Sequence, residues 1–325
     1  MEDIIIENIE DYALSKKERP KAQFSQIGIV GAGTTGQRII LMIATKGIEV
    51  VFLDLNKNII KNTYKELAEE LDNRIEHWGM TDGDKRAVLS RIKGTTDYAD
   101  FKDCDLVIES ILSKQREFSL DIRKGVFQKI EEHVSRDTII ATNSTTTVIT
   151  ELASGLKYND RCLSLHFSTT NPGANIVEVV RGLHTKDSVC ENVRKFATLI
   201  GKIPIPVDES PGLISVRLFV ALVGEACDAL MEGVATKEHI DLTMRNGLGL
   251  PLGPFEMADK IGLDRVVRWM ENLYNEFGDM KYKPSPLIKK LVRAERLGRK
   301  TCMGFYAYDR HGNKLEGVQK IEECK

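Results

Sequence analysis

One histidine and one glutamate stand twelve positions apart in the stretch SLHFSTTNPGANIVEVV: His166 and Glu178. Both sit in apolar, β-prone surroundings. Histidine titrates near neutrality and can take or return a proton. A carboxylate bonded to its second ring nitrogen fixes the tautomer and stabilises the imidazolium. Such a pair can remove the proton of a hydroxyl or protonate a developing alkoxide. A single histidine is as readily a core residue, so the rest of the chain must supply the context.

That context begins upstream with GAGTTG, in which Gly31, Gly33 and Gly36 follow the apolar run QIGIV and open a helical stretch. The first glycine permits a tight turn, the second lets a pyrophosphate approach the backbone, and the third lets helix and strand pack closely. The helix start at Thr34 and Thr35 offers free N–H groups and a partial positive charge to phosphates. Asp54 ends the next apolar run, EVVFL. A carboxylate there accepts a ribose 2′-OH and repels a 2′-phosphate, which selects NAD over NADP. FAD is the second-line alternative. A nicotinamide cofactor implies hydride transfer, and oxidation of an alcohol then needs a base beside the hydride acceptor. His166 stands at the end of a strand candidate, where open α/β sheets place their ligands.

The elements that must hold these residues alternate. Strand candidates cover 26–30, 49–53, 105–109, 138–142, 161–166, 176–180 and 202–207. Helical stretches cover 35–46, 56–80, 117–133 and 188–200. Strands alternating with helices predict an α/β Rossmann-type doubly wound sheet. After Pro211 the pattern is helical, interrupted by GLGLPLGP and KPSP. The expected organisation is an extension at 1–24, a dinucleotide-binding domain at 25–207, and an all-α substrate or dimerisation domain at 208–325.

Composition narrows the partners. Lys and Arg total 46 against 48 Asp and Glu, a net charge of -2. Such balance argues against non-specific nucleic-acid binding, which needs basic surface to displace counterions. No run of about 18 apolar residues predicts a membrane span. The acidic first twenty residues fit neither a secretory signal nor a transit peptide, so a cytoplasmic protein is expected. The six cysteines form no CxxC pair and no zinc pattern; they read as reduced thiols, with no metal site.

Several motifs together resemble the short-chain L-3-hydroxyacyl-CoA dehydrogenases, a family that includes 3-hydroxybutyryl-CoA dehydrogenase. They are IGIVGAGTTGQ, ATNSTTTVIT at 141–150, LHF and VEVV at the twelve-residue spacing, GLGLPLGPFEMADKIGLD at 247–264, and LGRKTCMGFYAY at 297–308. The resemblance implies an NAD-dependent oxidoreductase acting on an acyl-CoA, and a homodimer. It implies His166 as the acid–base and Glu178 as the residue that orients it. It also implies Thr145 as a substrate hydroxyl and Asn143 as a cofactor contact. The chain departs from the family at Ser168 and Thr169, which replace Phe and Asn after the histidine. It departs again at Val216, where an active-site Asn is expected, and at Ser113, where an acid is expected. The family's serine and lysine contacts to CoA fall on Glu70 and His77. Ser168, Thr169 or Ser215 is expected to supply the hydrogen bond that Val216 cannot. Two alternatives stay open: a dehydrogenase of a free hydroxy acid such as L-gulonate or carnitine, and a non-catalytic NAD-binding protein.

Overall fold

The computed structural model describes residues 24–76, 79–111, 119–167 and 174–315. Residues 1–23 of the expected extension, together with His77, Ser113, Ser168 and Thr169, lie outside the described residues.

Among the described residues, eight strands form one sheet in the order β3-β2-β1-β4-β5-β6-β7-β8. They are β1 (Gln26–Val30), β2 (Glu49–Leu53), β3 (Ile92–Thr95), β4 (Leu106–Glu109), β5 (Ile139–Thr142), β6 (Cys162–Phe167), β7 (Ile176–Arg181) and β8 (Ile203–Asp208). Every neighbouring pair is parallel except β6 and β7. All four residues of β4 and of β5 are buried, as a parallel sheet covered on both faces requires.

The two-residue period of the strands sorts their side chains between two cores. Ile27, Ile29, Val50, Phe52, Leu106 and Ile108 face one layer. That layer holds Ile39 and Ile43 of α1 (Thr34–Ala44), Leu67 and Leu71 of α2 (Lys57–Glu76), and Val193 and Phe196 of a helix at Asp187–Leu199. Val30, Val51, Leu53, Val107 and Ile140 face the other, against Phe127 and Ile130 of the helix at Ser119–His133. The doubly wound sheet expected from the alternating pattern is therefore the observed one.

Two elements differ from expectation. The stretch 56–80 is not one long helix: α2 ends at Glu76, and α3 (Asp82–Leu89) starts at a capping box between Thr81 and Asp84. The strand β3 follows it. Its sequence, IKGT, carries a lysine and a glycine and lies at the sheet edge, so no apolar run marked it.

From α7 (Ser215–Met231) onward the chain is helical, with α8 (Lys237–Leu248), α9 (Pro254–Ile261), α10 (Leu263–Phe277) and α11 (Pro286–Arg293). Between α3 and α7 lie α4 (Ser119–His133), α5 (Ile149–Leu152) and α6 (Asp187–Leu199). Val220 and Val223 of α7 and Val266, Val267 and Met270 of α10 are core, whereas Leu218 is 69% exposed. Two buried aspartates organise this part. Asp241 accepts from the N–H groups of Phe255 and Glu256 at the start of α9, at 2.9 and 3.0 Å. Asp259 accepts from Phe305, Tyr306 and the Tyr308 hydroxyl, each at 2.9 Å. A Cβ on Gly304 would fall 1.9 Å from Asp259 Oδ1, so GFYAY can close on Asp259 only with glycine there.

Cys104, Cys162, Cys190 and Cys227 are free thiols, as expected, but Cys302 is disulfide-bonded. Spacing along the chain does not report a disulfide, because the bond depends on which thiols the fold brings within reach. No helix among the described residues is long and apolar enough to cross a membrane.

Candidate active site

Strand order reverses between β1 and β4, which leaves a crevice at the carboxyl ends of the strands. A cavity of about 720 Å³ occupies this place, roofed by α7 and α10. Of the residues nominated from the sequence, Gly33, Thr34, Thr35, Asn143, Thr145 and His166 line it. Gly31, Gly36, Asp54 and Glu178 stand behind this lining and support it.

The glycine loop is built as its spacing implies. Gly31 has a φ of 93°, in the left-handed region, and its N–H donates to the Leu53 carbonyl at 2.9 Å. A Cβ on Gly36 would lie 2.0 Å from the Gly31 carbonyl oxygen. A Cβ on Gly33 would meet nothing among the described residues, so the loop is open there at the point where a phosphate must approach. Gly33 is also the N-cap of α1, and no side chain caps that end. A helix start of this kind favours a bound anion. Asp54 accepts from the Ala32 N–H at 2.9 Å and the Leu55 N–H at 2.7 Å. Each carboxylate oxygen keeps acceptor capacity for a ribose hydroxyl.

His166 and Glu178 are direct cross-strand partners in the antiparallel pair β6–β7. Residues opposite each other there point to the same face, which brings two positions twelve apart into contact. His166 Nδ1 lies 2.6 Å from Glu178 Oε2. Glu178 is 4% exposed and fully engaged. Its Oε1 accepts from the Ile214 and Ser215 N–H groups at 3.1 and 3.3 Å, and its Oε2 accepts from the Ser215 hydroxyl at 3.1 Å. Burial works against its charge, but the bonds from His166, Ile214 and Ser215 outweigh it and hold the carboxyl below its ordinary value. With Nδ1 committed to Glu178, Nε2 is the nitrogen left for chemistry in the cavity.

Asn143 continues β5, and its side-chain oxygen accepts from the Phe167 N–H at 2.9 Å, tying the ends of β5 and β6 together. The Thr145 hydroxyl has no hydrogen-bond partner among the described residues, while its carbonyl accepts from the Gly212 N–H at 2.7 Å. Val216 is 4% exposed and lines the cavity, where it offers no donor. Ser215, one of the residues expected to compensate, spends its proton on Glu178.

Two further parts of the site carry no local signal in the sequence. Glu109, fully buried at the end of β4, is paired with Arg123 of α4 and accepts from the Thr142 hydroxyl at 2.6 Å. This network sets the floor of the cavity, and Arg123 reaches its lining. A stripe on α10, formed by Arg265, Arg268, Trp269 and Asn272, supplies one wall. Its three-to-four-residue spacing was present in the sequence, but a polar helix face looks the same whether it meets solvent or a cavity.

Comparison with known proteins settles the family. Residues 26–210 match the NAD-binding domain of 3-hydroxyacyl-CoA dehydrogenase, and residues 212–308 match that enzyme's C-terminal domain. The chain belongs to the 3-hydroxyacyl-CoA dehydrogenase family. As a member it is an NAD-dependent dehydrogenase, with NAD as the cofactor of its N-terminal part. It is 36% identical to a 3-hydroxybutyryl-CoA dehydrogenase of Clostridioides difficile over 285 residues, 88% of this chain and all of that one. The crystal structure of the (S)-3-hydroxybutyryl-CoA dehydrogenase of Ralstonia eutropha superposes with a TM-score of 0.82 at 38% identity, covering 88% of this chain and 99% of that one. A diketoreductase described as acting on dicarbonyl compounds superposes with a TM-score of 0.76 at 31% identity, over 88% and 99%. Within the 3-hydroxyacyl-CoA dehydrogenase frame, the cavity lies where the two matched parts meet.

Proposed function

We propose that the chain interconverts a short-chain L-3-hydroxyacyl-CoA and the corresponding 3-ketoacyl-CoA in the cytoplasm. Residues 25–207 hold the cofactor, and residues 208–325 complete the substrate site and the dimer. The observation that carries the reading is the 2.6 Å bond between His166 Nδ1 and Glu178 Oε2 in the wall of a cavity that also contains the open glycine loop.

The residues present suit NAD. Gly33 would leave room for the pyrophosphate, the α1 start at Thr34 and Thr35 would favour its charge, and Asp54 and Asn143 would hold the ribose and the nicotinamide. NAD supplies the hydride acceptor at the substrate's C3. His166 Nε2 takes the 3-hydroxyl proton as the carbonyl forms, and returns it when the reaction runs towards the alcohol. Glu178 keeps the proton on Nδ1 and stabilises the imidazolium. The unpartnered Thr145 hydroxyl holds the substrate oxygen.

A homodimer belongs to the same proposal. In α8 only Asp241 is buried, while Leu242 and Leu248 are 48% and 69% exposed, and Leu218 of α7 adds a further apolar side chain. A helix with so little of itself covered fits a second copy packed over it.

The test is NADH oxidation with acetoacetyl-CoA, beside His166→Ala. Turnover in the wild type that falls by on the order of 10²–10⁴ in kcat in the variant, with NADH affinity unchanged, supports the reading. Tight NADH binding without turnover sinks the acyl-CoA assignment. Val216 and the diketoreductase likeness favour a second reading, a substrate that is a free hydroxy or keto compound. Activity on such compounds but not on acetoacetyl-CoA decides for it.

A further inference from the structure

Glu178 accepts four hydrogen bonds, and three of them come from the start of α7. Its Oε1 takes the Ile214 and Ser215 N–H groups at 3.1 and 3.3 Å. Its Oε2 takes His166 Nδ1 at 2.6 Å and the Ser215 hydroxyl at 3.1 Å. An ionised carboxylate has about four acceptor sites, so all are in use. Ile214 is the N-cap of α7 and Ser215 its first residue, so the partial positive charge of a 17-residue helix also meets this carboxylate.

His166 and Ser215 therefore share one oxygen. The two backbone donors hold Glu178 in place without the serine side chain, which leaves the hydroxyl an electrostatic task. A carboxylate raises a histidine's proton affinity through the negative charge that it presents to the ring. A hydroxyl bonded to the same oxygen screens part of that charge. We propose that Ser215 is a positioning residue that acts through Glu178: its hydroxyl draws charge from Oε2 and so makes His166 a weaker base. This role rests on the reading of His166 as the acid–base of the cavity. It differs from replacing the donor absent at Val216, because the Ser215 proton is turned to Glu178 and not to the substrate. A weaker base is free of its proton at lower pH, and once protonated it is a stronger acid towards a developing alkoxide.

The other charges around the pair are left in place by a change at Ser215. Arg123 of α4 is held by Glu109 of β4, and Arg217 of α7 turns to the Ser210 and Tyr282 hydroxyls at 3.1 and 3.2 Å. Glu151 of α5 and Arg265, Arg268 and Glu276 of α10 line the same cavity. On the far side of β7, β8 places Ile205 beside Glu178. No charged side chain other than His166 bonds to Glu178 among the described residues.

The experiment is a ¹⁵N NMR titration of the His166 ring in the unliganded protein, its signals identified by their absence from His166→Asn. Wild type is compared with Ser215→Ala, Ser215→Val and Ser215→Thr. The midpoint is expected to rise by about half a pH unit or more in Ser215→Val, which fills the space and offers no hydrogen bond. The rise is smaller in Ser215→Ala, where a water has room to bond Oε2, and Ser215→Thr keeps the wild-type midpoint. Reduction needs His166 protonated, so the alkaline fall in kcat/KM for acetoacetyl-CoA moves upward with the titration. An unaltered midpoint in both Ser215→Ala and Ser215→Val overturns the proposal. A shift of equal size in Ser215→Thr, which keeps the hydroxyl, also overturns it, because the effect is then one of shape. A raised KM with no shift in any variant gives Ser215 to the substrate instead and overturns it as well. The titration needs no turnover, so absence of acyl-CoA activity sinks the proposed reaction while leaving these outcomes readable.

Discussion

Under the proposed mechanism, Glu178 joins stability and activity at a single carboxylate. Under the proposed mechanism Glu178→Gln leaves His166 in place but removes the acceptor that fixes its tautomer, so kcat is expected to fall about 10²-fold or more with little change in NADH affinity. The same substitution has a pH signature. The unfolded chain protonates this glutamate near 4.5, whereas the folded protein holds it charged to lower pH. Between those values the unfolded state binds more protons, so stability rises with pH across that window. The advantage of wild type over Glu178→Gln is complete above about pH 4.5 and is lost as the pH falls through the lowered folded value. Urea unfolding of both proteins over that range checks it; a difference independent of pH would mean that the ionised carboxylate contributes nothing specific.

At the scale of elements, the turn between β1 and α1 is the most tightly specified part of the site. Gly36→Ala places a methyl group 2.0 Å from the Gly31 carbonyl oxygen, and both partners are backbone, so the turn itself must move. NADH affinity is expected to fall by at least about tenfold and the unfolding midpoint to drop, while the far-UV circular dichroism changes little. Equal NADH binding by wild type and variant would show that the turn tolerates the shift. Gly33→Ala is a useful contrast, because its Cβ meets no atom of the described residues and acts on the space kept for a phosphate. The pairing of β6 with β7 works at this scale too. One antiparallel pair in an otherwise parallel sheet lets the chain return directly after β6, and this places Glu178 opposite His166.

For the whole molecule, the open question is what covers α8. A dimer through Leu218, Leu242 and Leu248 is expected to elute at twice the chain mass in light scattering. Leu242→Glu with Leu248→Glu is expected to give monomers that keep their secondary structure. A wild-type monomer at micromolar concentration removes the proposal. The cavity lies between the cofactor part and α7 and α10, so a dimer through the outer face of α8 leaves the cavity wall to each chain alone.

Much of this architecture was legible before any coordinates. The apolar runs ending in Gly31 and Asp54 predicted β1 and β2 to the residue, because a fully buried parallel strand can use little else. GAGTTG marked its own turn, since φ at Gly31 and the contact at Gly36 exclude side chains. The twelve-residue spacing of His166 and Glu178 suggested a pair, but only the antiparallel register of β6 and β7 makes them neighbours. The edge strand β3 escaped notice because half of it meets solvent and needs no apolar pattern. The capping box at Thr81 and Asp84 was readable as a helix start, yet the charged helix before it hid the break. Arg123 on Glu109, Ser215 on Glu178 and the arginines of α10 come from segments tens of residues apart, and no local pattern links them. The sequence by itself determined the strands other than β3, the glycine turn and the residue types available for proton transfer, because these depend on period, burial and backbone conformation. Only the tertiary structure decided which charges face one another across the cavity, because that depends on how the helical part docks on the sheet.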